Sequence, residues 1–298
     1  MTRRIVVAGA SGLIGSALVE ALAQRGDDVV QLVRRPARIG EVPWDPSDGT
    51  LDPAALSGAD VVVSLNGAGI GDKRWTPDRK EELRRSRVDS VGLLARTMSK
   101  LESPPPTFVA GSATGYYGDT GDEVVDETAP MGDDFLATLC GDWEAACTPA
   151  RDVGVRVVNL RTGIVLGPNG GALAPLLPIF KAGLGGPIGR GTQWWSWVTL
   201  DDHVRAMLTL IDGETVGPVN LVAPNPVRQK DFAKALGEQL HRPAVLPAPR
   251  LAVKARLGKE LAEAIGFASQ RVEPAVLARS SFEFEHPDIS TALAAVLS

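Results

Sequence analysis

The chain has 298 residues, with 31 Lys and Arg against 36 Asp and Glu, a net charge of −5. It has no basic block, which argues against a nucleic-acid surface. Hydrophobic residues make up 44% and charged residues 22%, ordinary values for a chain long enough to bury a core in one large or two small domains. No apolar run approaches the ~20 residues that span a bilayer, and Met1-Thr2-Arg3-Arg4 leads straight into a predicted strand with no room for a signal peptide. Cys140 and Cys147 are the only cysteines, and on a helical pattern they stand roughly 10 Å apart, too far for a disulfide. A reduced, cytoplasmic protein is expected.

The first element predicted is a strand, Ile5-Val6-Val7-Ala8, followed by Gly9, Gly12 and Gly15 and then by apolar residues at helical spacing. Strand, glycine turn and helix in this order form a phosphate-binding βα unit. Gly9 permits the tight turn, Gly12 lets the backbone approach a pyrophosphate, and Gly15 lets the helix pack against the strand. The helix N-terminus, with Ser11, Leu13 and Ile14 around it, offers free N–H groups to phosphate. Gly26 ends this helix.

Val29–Val33 reads as the second strand, and Arg34-Arg35 stands at its end. An acidic residue there would hold the ribose 2′-hydroxyl of NAD. Two guanidinium groups suit a 2′-phosphate instead, so NADP(H) is the expected cofactor. Val61–Leu65 is a buried parallel strand ending in Asn66-Gly67-Ala68-Gly69, small residues against which a ligand can lie. Thr76 caps a long helix, with Pro77 at its first position, that runs to about Leu101. Thr107–Ala110 is the next strand, with Ser112 just past its end and Tyr116 and Tyr117 close by. A helix over 135–152 and a strand at Val155–Leu160 follow. From Asn169 to Gly191 the chain turns Gly- and Pro-rich, and Gln193-Trp194-Trp195-Ser196-Trp197 comes next. A short strand and capped helix to Ile211, a strand at Val219–Val222, a helix at Phe232–Leu240 and a short strand at Ser281–Phe284 complete the pattern.

Strands alternating with helices predict an α/β fold with a doubly wound parallel sheet. Residues 1–168 would form the dinucleotide-binding domain, with 192–222 returning to it. Residues 169–191 and 223–298 would form a smaller α/β substrate or lid domain over the carboxyl edge of the sheet.

The glycine triplet, Asn66-Gly67-Ala68-Gly69, Ser112 and the run from Arg161 to Gly167-Pro168 resemble the extended short-chain dehydrogenase/reductases, which include the nucleotide-sugar epimerases. Arg74-Trp75, Ser86-Arg87-Val88, Gly115-Tyr116-Tyr117-Gly118, Asp142-Trp143-Glu144, Leu184-Gly185-Gly186-Pro187 and Ser196-Trp197 are similar to an atypical branch of them, the sugar-nucleotide-epimerase-like proteins of the SDR39U1 type. From about Pro247 the chain resembles the small domain that closes those proteins. The resemblance implies a Rossmann-type fold with bound NADP(H), contacted by Ser11 to Ile14, Arg34, Arg35, Leu65, Asn66, Arg87 and Ile164. On physics alone Arg87 could equally be a surface arginine. Superfamily members often pair through their long helices, so the resemblance leaves a homodimer open, and the sequence itself does not decide the oligomeric state.

The superfamily's usual catalytic pair is a Tyr and a Lys four residues apart, the lysine lowering the tyrosine pKa from about 10. That pair is absent: after Tyr116 and Tyr117 the residues four on are Thr120 and Gly121, and on the helix where the pair belongs stand Cys140 and Glu144. A carboxylate cannot replace the lysine, because it raises a neighbouring acid's pKa and repels phosphate. Ser112, Tyr116 and Tyr117 are the catalytic candidates, with packing an equal alternative for the tyrosines. Cys140, Glu144 and His203 are weaker candidates, each with a structural reading beside the chemical one. The three tryptophans either line a substrate pocket or pack the small domain. His203, His241 and His286 are scattered, and no metal site is expected. Two functions remain open: an NADP(H)-dependent oxidoreductase or epimerase acting on a small carbonyl or hydroxyl compound, and an NADP(H)-holding regulatory or sensor protein without turnover.

Overall fold

The computed structural model describes residues 2–168, 170–280 and 282–298. Strand β1 (Arg4–Ala8), helix α1 (Leu13–Arg25) and β2 (Asp28–Val33) open the chain; β3 (Glu41–Asp45), β4 (Thr50–Leu51), β5 (Val61–Ser64), α2 (Pro77–Met98) and β6 (Thr107–Ala113) follow. Next come β7 (Val124–Val125), α3 (Phe135–Ala145), α4 (Thr148–Asp152), β8 (Arg156–Thr162), β9 (Ile164–Gly167), β10 (Gly170–Gly171), α5 (Leu177–Lys181), β11 (Trp194–Trp195), β12 (Trp197–Thr199), α6 (Leu200–Asp212) and β13 (Gly217–Leu221). The main sheet has the order β13-β8-β6-β5-β1-β2-β3-β4. All its pairings are parallel except β3 with β4.

Period-two alternation divides the apolar strand residues between two layers. Val6, Ala8, Val62, Phe108, Ala110 and Val157 face Val91, Leu94 and Met98 of α2 and Ala150 of α4. Ile5, Val7, Val63, Val109 and Leu160 face Leu18 and Leu22 of α1 and Met207, Leu210 and Ile211 of α6. With helices on both faces, the carboxyl ends of β1 and β5 lie side by side where the strand order reverses. That switch point is where open α/β sheets bind ligands.

The predicted helix signals hold. Gly26 ends α1 in the left-handed conformation (φ 84°), its N–H bonded to Ala23 O while Asp27 N–H reaches Leu22 O, and Thr76 Oγ1 accepts from Arg79 N at 3.1 Å.

Other expectations change. Strand β6 does not stop at Ala110. It continues in register with β8 to Ala113, pairing Ser112 with Arg161, so Ser112 sits within the strand. The helix expected over 135–152 breaks at Ala146–Cys147, and α4 restarts with Pro149 in its first turn, where proline lacks the N–H needed to continue a helix. Strands β3 and β4 lay hidden in a stretch that contains Pro43 and the turn residues 46–49. In the expected strand at Ser281–Phe284, residue 281 lies outside the described residues, and Phe282–Phe284 form no strand; the rings of Phe282 and Phe284 pack edge to face at 4.9 Å.

Beyond the main sheet, β9 pairs with β12 and β10. Strand β11 pairs with β14 (Val227–Arg228), which leads into α7 (Gln229–Gln239). Leu166, Phe180, Trp195, Trp197, Phe232, Leu236 and Leu293 form a separate apolar cluster here. Trp197 is fully buried in it. The 262–267 segment then crosses the carboxyl edge of the main sheet and leads to Arg271–Val272, which pairs with β7.

Candidate functional site

Gly9 turns the chain out of β1 with φ 87°, a left-handed conformation that costs glycine little. A Cβ on it would stand 2.7 Å from the carbonyl carbon of Leu65, so the loops after β1 and β5 touch back to back. A Cβ on Gly15 would overlap the Gly9 carbonyl oxygen and come within 2.9 Å of its carbon; helix α1 therefore lies directly on the turn. Gly12 differs. Among the described residues its only neighbour within 4 Å of a Cβ is Gly9 O at 3.5 Å, so they leave the space above it open. No side chain caps α1, and its first turn holds no acidic residue. Its leading N–H groups thus face an open cradle that a methyl group would partly fill, the arrangement a phosphate needs.

At the end of β2, Arg34 and Arg35 are both exposed but not equivalent. Arg35 grips Glu41 with Nη1–Oε2 2.8 Å and Nη2–Oε1 2.6 Å, a fork that holds the Glu41 carboxyl below the usual range. Arg34 makes no hydrogen bond or ion pair among the described residues. It is the guanidinium left available to an anion.

After β5, Ala68 N–H donates to Ser86 Oγ at 3.0 Å, and Ala68 O accepts from Arg87 Nη2 at 2.9 Å. Arg87 is 8% exposed, so it is no surface residue. Nη1 donates to Leu83 O at 3.1 Å, and the guanidinium lies 5.1 Å from the ring centre of Trp143. Burial pulls its pKa down to about 10. A Cβ on Gly67 would strike this guanidinium at 2.8 Å, so the small residue there is what admits Arg87 to the edge. Gly9 to Gly15, Leu65 to Ala68 and Arg87 thus share one edge, while Ile164 opens β9 beside it, pairing with Trp197.

A cavity of about 240 Å³ adjoins this edge. Thr162, Gly163 and Ile164 line it where β8 passes into β9; Ala113, Thr114 and Gly115 continue it; Arg87 of α2 and Leu136, Leu139, Cys140 and Trp143 of α3 form a wall. Ile70, Trp194, Trp195, Ser196 and the crossing segment, with Ala264, Ile265, Ala268 and Gln270, complete it. Trp194 and Trp195 therefore meet the cavity, whereas Trp197 packs in the core with its indole N–H on Asn225 O. The crossing segment carries no motif, and nothing in the sequence alone marks it as part of a site.

Ser112, Tyr116 and Tyr117 do not line the cavity. They belong to a polar network behind it. Ser112 Oγ donates to Glu144 Oε1 at 2.7 Å, and Arg161 binds the same carboxylate through Nε–Oε1 (2.9 Å) and Nη2–Oε2 (3.0 Å). The Arg161 side chain is 4% exposed and that of Glu144 13%. Arg161 Nη1 donates to the Tyr117 hydroxyl at 3.1 Å, and that hydroxyl donates to Asn220 Oδ1 at 2.7 Å. Burial pushes the Tyr117 pKa up to about 12, the opposite of what a proton-transferring tyrosine requires. Tyr116 packs its ring under the Arg161 guanidinium, 3.5 Å from ring centre to Cζ. Cys140 and Cys147 are both free and buried. Burial drives the Cys140 thiol up to about 12, helped by Glu144, and Cys147 up to about 11, so neither is a ready thiolate. Among the described residues no cluster of His, Cys, Asp and Glu could hold a metal.

His203 is fully buried in α6, with Nε2 3.0 Å from Thr162 Oγ1 and Nδ1 lacking a partner among the described residues. Burial lowers its pKa to about 3. In the unfolded chain the ring protonates near pH 6.5. As pH falls from 6.5 towards 3, the unfolded state binds a proton that the folded state refuses, so stability falls by about 1.4 kcal/mol per pH unit. Urea unfolding at pH 6.5 and 4.5 should show a His203→Asn variant escaping roughly 2–3 kcal/mol of the loss seen in the parent chain. Equal losses in both would place the proton elsewhere.

The sequence profile of the NAD dependent epimerase/dehydratase family matches residues 5–221, and that of a domain of unknown function, DUF1731, matches 248–296. Epimerase family protein Mb2239 of Mycobacterium bovis is 43% identical over 97% of this chain and 96% of its own. The crystal structure of human epimerase family protein SDR39U1 with NADPH superimposes with a TM-score of 0.91 at 32% identity, covering 99% of each chain. MoeE5, solved in complex with UDP-glucose and NAD, shares the fold with a TM-score of 0.78 at 21% identity, over 99% of this chain and 97% of its own. The chain belongs to the NAD dependent epimerase/dehydratase family, in the branch of the epimerase family protein SDR39U1.

Proposed function

We propose that the chain binds NADP(H) along the carboxyl edge of its sheet and works there as an epimerase-like or oxidoreductase-like protein on a small carbonyl or hydroxyl substrate. The open cradle above Gly12, closed from below by the Gly9–Gly15 contact, carries this reading. Gly9, Ser11, Gly12, Leu13, Ile14 and Gly15 would take the pyrophosphate, with Arg34 on the 2′-phosphate. Leu65, Asn66, Gly67, Ala68, Arg87 and Ile164 would flank the rest of the cofactor. The human relative solved with NADPH supports the choice of cofactor. Bound there, the cofactor supplies or accepts hydride; the protein positions it and shapes the cavity beside it.

Arg34 and Arg35 give the test. A charge-assisted bond to phosphate contributes roughly 1.5–3 kcal/mol, about ten- to a hundredfold in affinity. Arg34→Glu should weaken NADPH binding by that factor and narrow or reverse the preference over NADH, read by cofactor fluorescence titration. Arg35→Ala should do less, because Glu41 already engages that guanidinium. An unaltered chain that binds NADH as tightly as NADPH would remove the role given to both arginines.

A second reading, an NADP(H)-holding regulatory or sensor protein without turnover, rests on the polar network. Ser112 donates to Glu144, Glu144 and Tyr117 both accept from Arg161, and none of the three lines the cavity. The two readings separate by following NADPH absorbance across neutral ketones, aldehydes and nucleotide sugars. Oxidation of NADPH by any of them excludes the silent form.

A further inference from the structure

The substrate end of the cavity carries its own chemical signature. Leu136, Leu139, Trp143, Trp195 and Ile265 face it with apolar surface. Of the charged residue types, Arg87 alone lines it among the described residues, and that guanidinium already donates to two backbone carbonyls and covers Trp143. The uncharged polar groups are engaged as well. Thr114 Oγ1 donates to Gln270 Oε1 at 2.9 Å, and Gln270 Nε2 donates to Gly118 O at 3.0 Å. Ser196 Oγ donates to Gln270 O at 2.8 Å and accepts from Val272 N–H at 2.9 Å.

A nucleoside diphosphate brings two phosphate charges and a ribose, which need cations and free donors. Against those two phosphates the lining sets a single cation, Arg87, already bonded to two backbone carbonyls, and the side-chain donors of Thr114, Gln270 and Ser196 are spent. The volume of about 240 Å³ also falls below the ~300–1,000 Å³ usual for ligand pockets. We infer that this cavity takes a small, neutral, largely apolar carbonyl or alcohol and excludes nucleotide sugars. The polar atom of such a ligand would lie by Thr162–Ile164, where Ile164 flanks the cofactor in the reading above, and its chain or ring would lie among Leu136, Trp143, Trp195 and Ile265. The assignment of the ends rests on the cofactor reading above; the exclusion of charge rests on the lining alone.

Methyl ketones from 2-butanone to 2-nonanone are suitable probes, titrated by calorimetry into the full chain loaded with NADP+, which cannot reduce them. Each methylene buried should tighten binding roughly fourfold until the cavity is filled. UDP-glucose should give no saturable binding at millimolar concentration. Ile265 is 39% exposed, so Ile265→Glu keeps a hydrated carboxylate without disturbing the core. It should weaken the longest bound ketone at least tenfold, with NADP+ affinity kept within twofold as the sign of an intact fold. Saturable UDP-glucose binding, affinity indifferent to chain length, or an Ile265→Glu chain that binds the ketones unchanged would each overturn the inference. The cofactor titration is read separately. Failure of NADP+ to bind defeats the proposed function, whereas cofactor binding without ketone binding defeats only the substrate class.

Discussion

Gly15→Ala should lose both the fold's stability and NADPH, whereas Gly12→Ala should lose NADPH alone. The two glycines stand three residues apart in one turn, yet they meet different surroundings. At Gly15 a methyl group would overlap the carbonyl oxygen of Gly9 and crowd Ala10 Cα at 3.0 Å. Both are backbone atoms held by β1 in the middle of the sheet, so neither can swing aside as a side chain would. Helix α1 must then lift from the strand, pulling Leu18 and Leu22 out of their layer. Overpacking of this kind costs roughly 3 kcal/mol or more, and the displaced helix no longer presents its N–H groups at the turn. At Gly12 the backbone is ordinary (φ −78°, ψ 170°) and a methyl group meets nothing nearer than 3.5 Å. Alanine there should cost within about 1 kcal/mol as an N-cap residue. It also places a methyl where the pyrophosphate must come, so NADPH should bind at least about tenfold more weakly. Urea unfolding and NADPH fluorescence titration on the two variants separate the effects. A Gly12→Ala chain that binds NADPH as the parent does would show that the phosphates do not lie over this turn.

These two positions also show what the sequence makes legible. A glycine triplet after an apolar strand carries its geometry locally: the turn, the close approach and the free helix end all follow from residues within fifteen positions. The parallel sheet is legible for the same reason, since each buried strand is an apolar run and each helix announces its caps, as at Thr76 and Gly26. Glu144 reads differently. As a sequence it is a glutamate on a helix, and a surface position is the ordinary expectation. Its real environment is set by Arg161, seventeen residues on in another strand, and by Ser112, thirty-two residues back. Arg87 is the same kind of case, because its burial depends on Trp143 and on the absence of a side chain at Gly67. The crossing segment lines the cavity because distant partners hold it: Arg271–Val272 pairs with β7, Gln193 donates to Gly266 O, and Gln270 N–H donates to Trp194 O. Such contacts join parts of the chain far apart in sequence: the Ser86-Arg87-Val88 and Asp142-Trp143-Glu144 motifs mark the residues, and no periodicity records what they touch.

Removing Arg161 should be the most costly change to the buried polar network. Arg161→Met leaves the Glu144 carboxylate, whose side chain is only 13% exposed, without its cation. It also removes the donor to the Tyr117 hydroxyl and the cation under Tyr116. Breaking one side of a buried ion pair costs about 3–5 kcal/mol, while replacing both partners by apolar groups of similar size is often close to neutral. Arg161→Met with Glu144→Leu should therefore recover a good part of the loss seen with Arg161→Met alone, measured by urea unfolding in a double-mutant cycle. Tyr117→Phe, which leaves Asn220 Oδ1 without its donor, should cost less, about 1–2 kcal/mol. NADPH affinity should stay within about threefold in all of these, since none of the three side chains lines the cofactor edge. The pattern bears on the chemistry. Where the superfamily's usual lysine would stand, this chain has a carboxylate neutralised by an arginine, and where the usual tyrosine would stand, it has Cys140, a thiol that burial holds protonated. If Arg161→Met costs less than about 1 kcal/mol, the pair is not what holds β6, α3 and β8 together. Glu144 and Tyr117 would then be available for proton transfer, and Ser112, Tyr116 and Tyr117 would return as the leading catalytic residues. A large loss, with recovery in the double variant, assigns them to the scaffold and moves the search for a proton donor to the cavity wall, where Thr114, Cys140 and the His203-backed Thr162 are the hydrogen-bonding groups closest to hand.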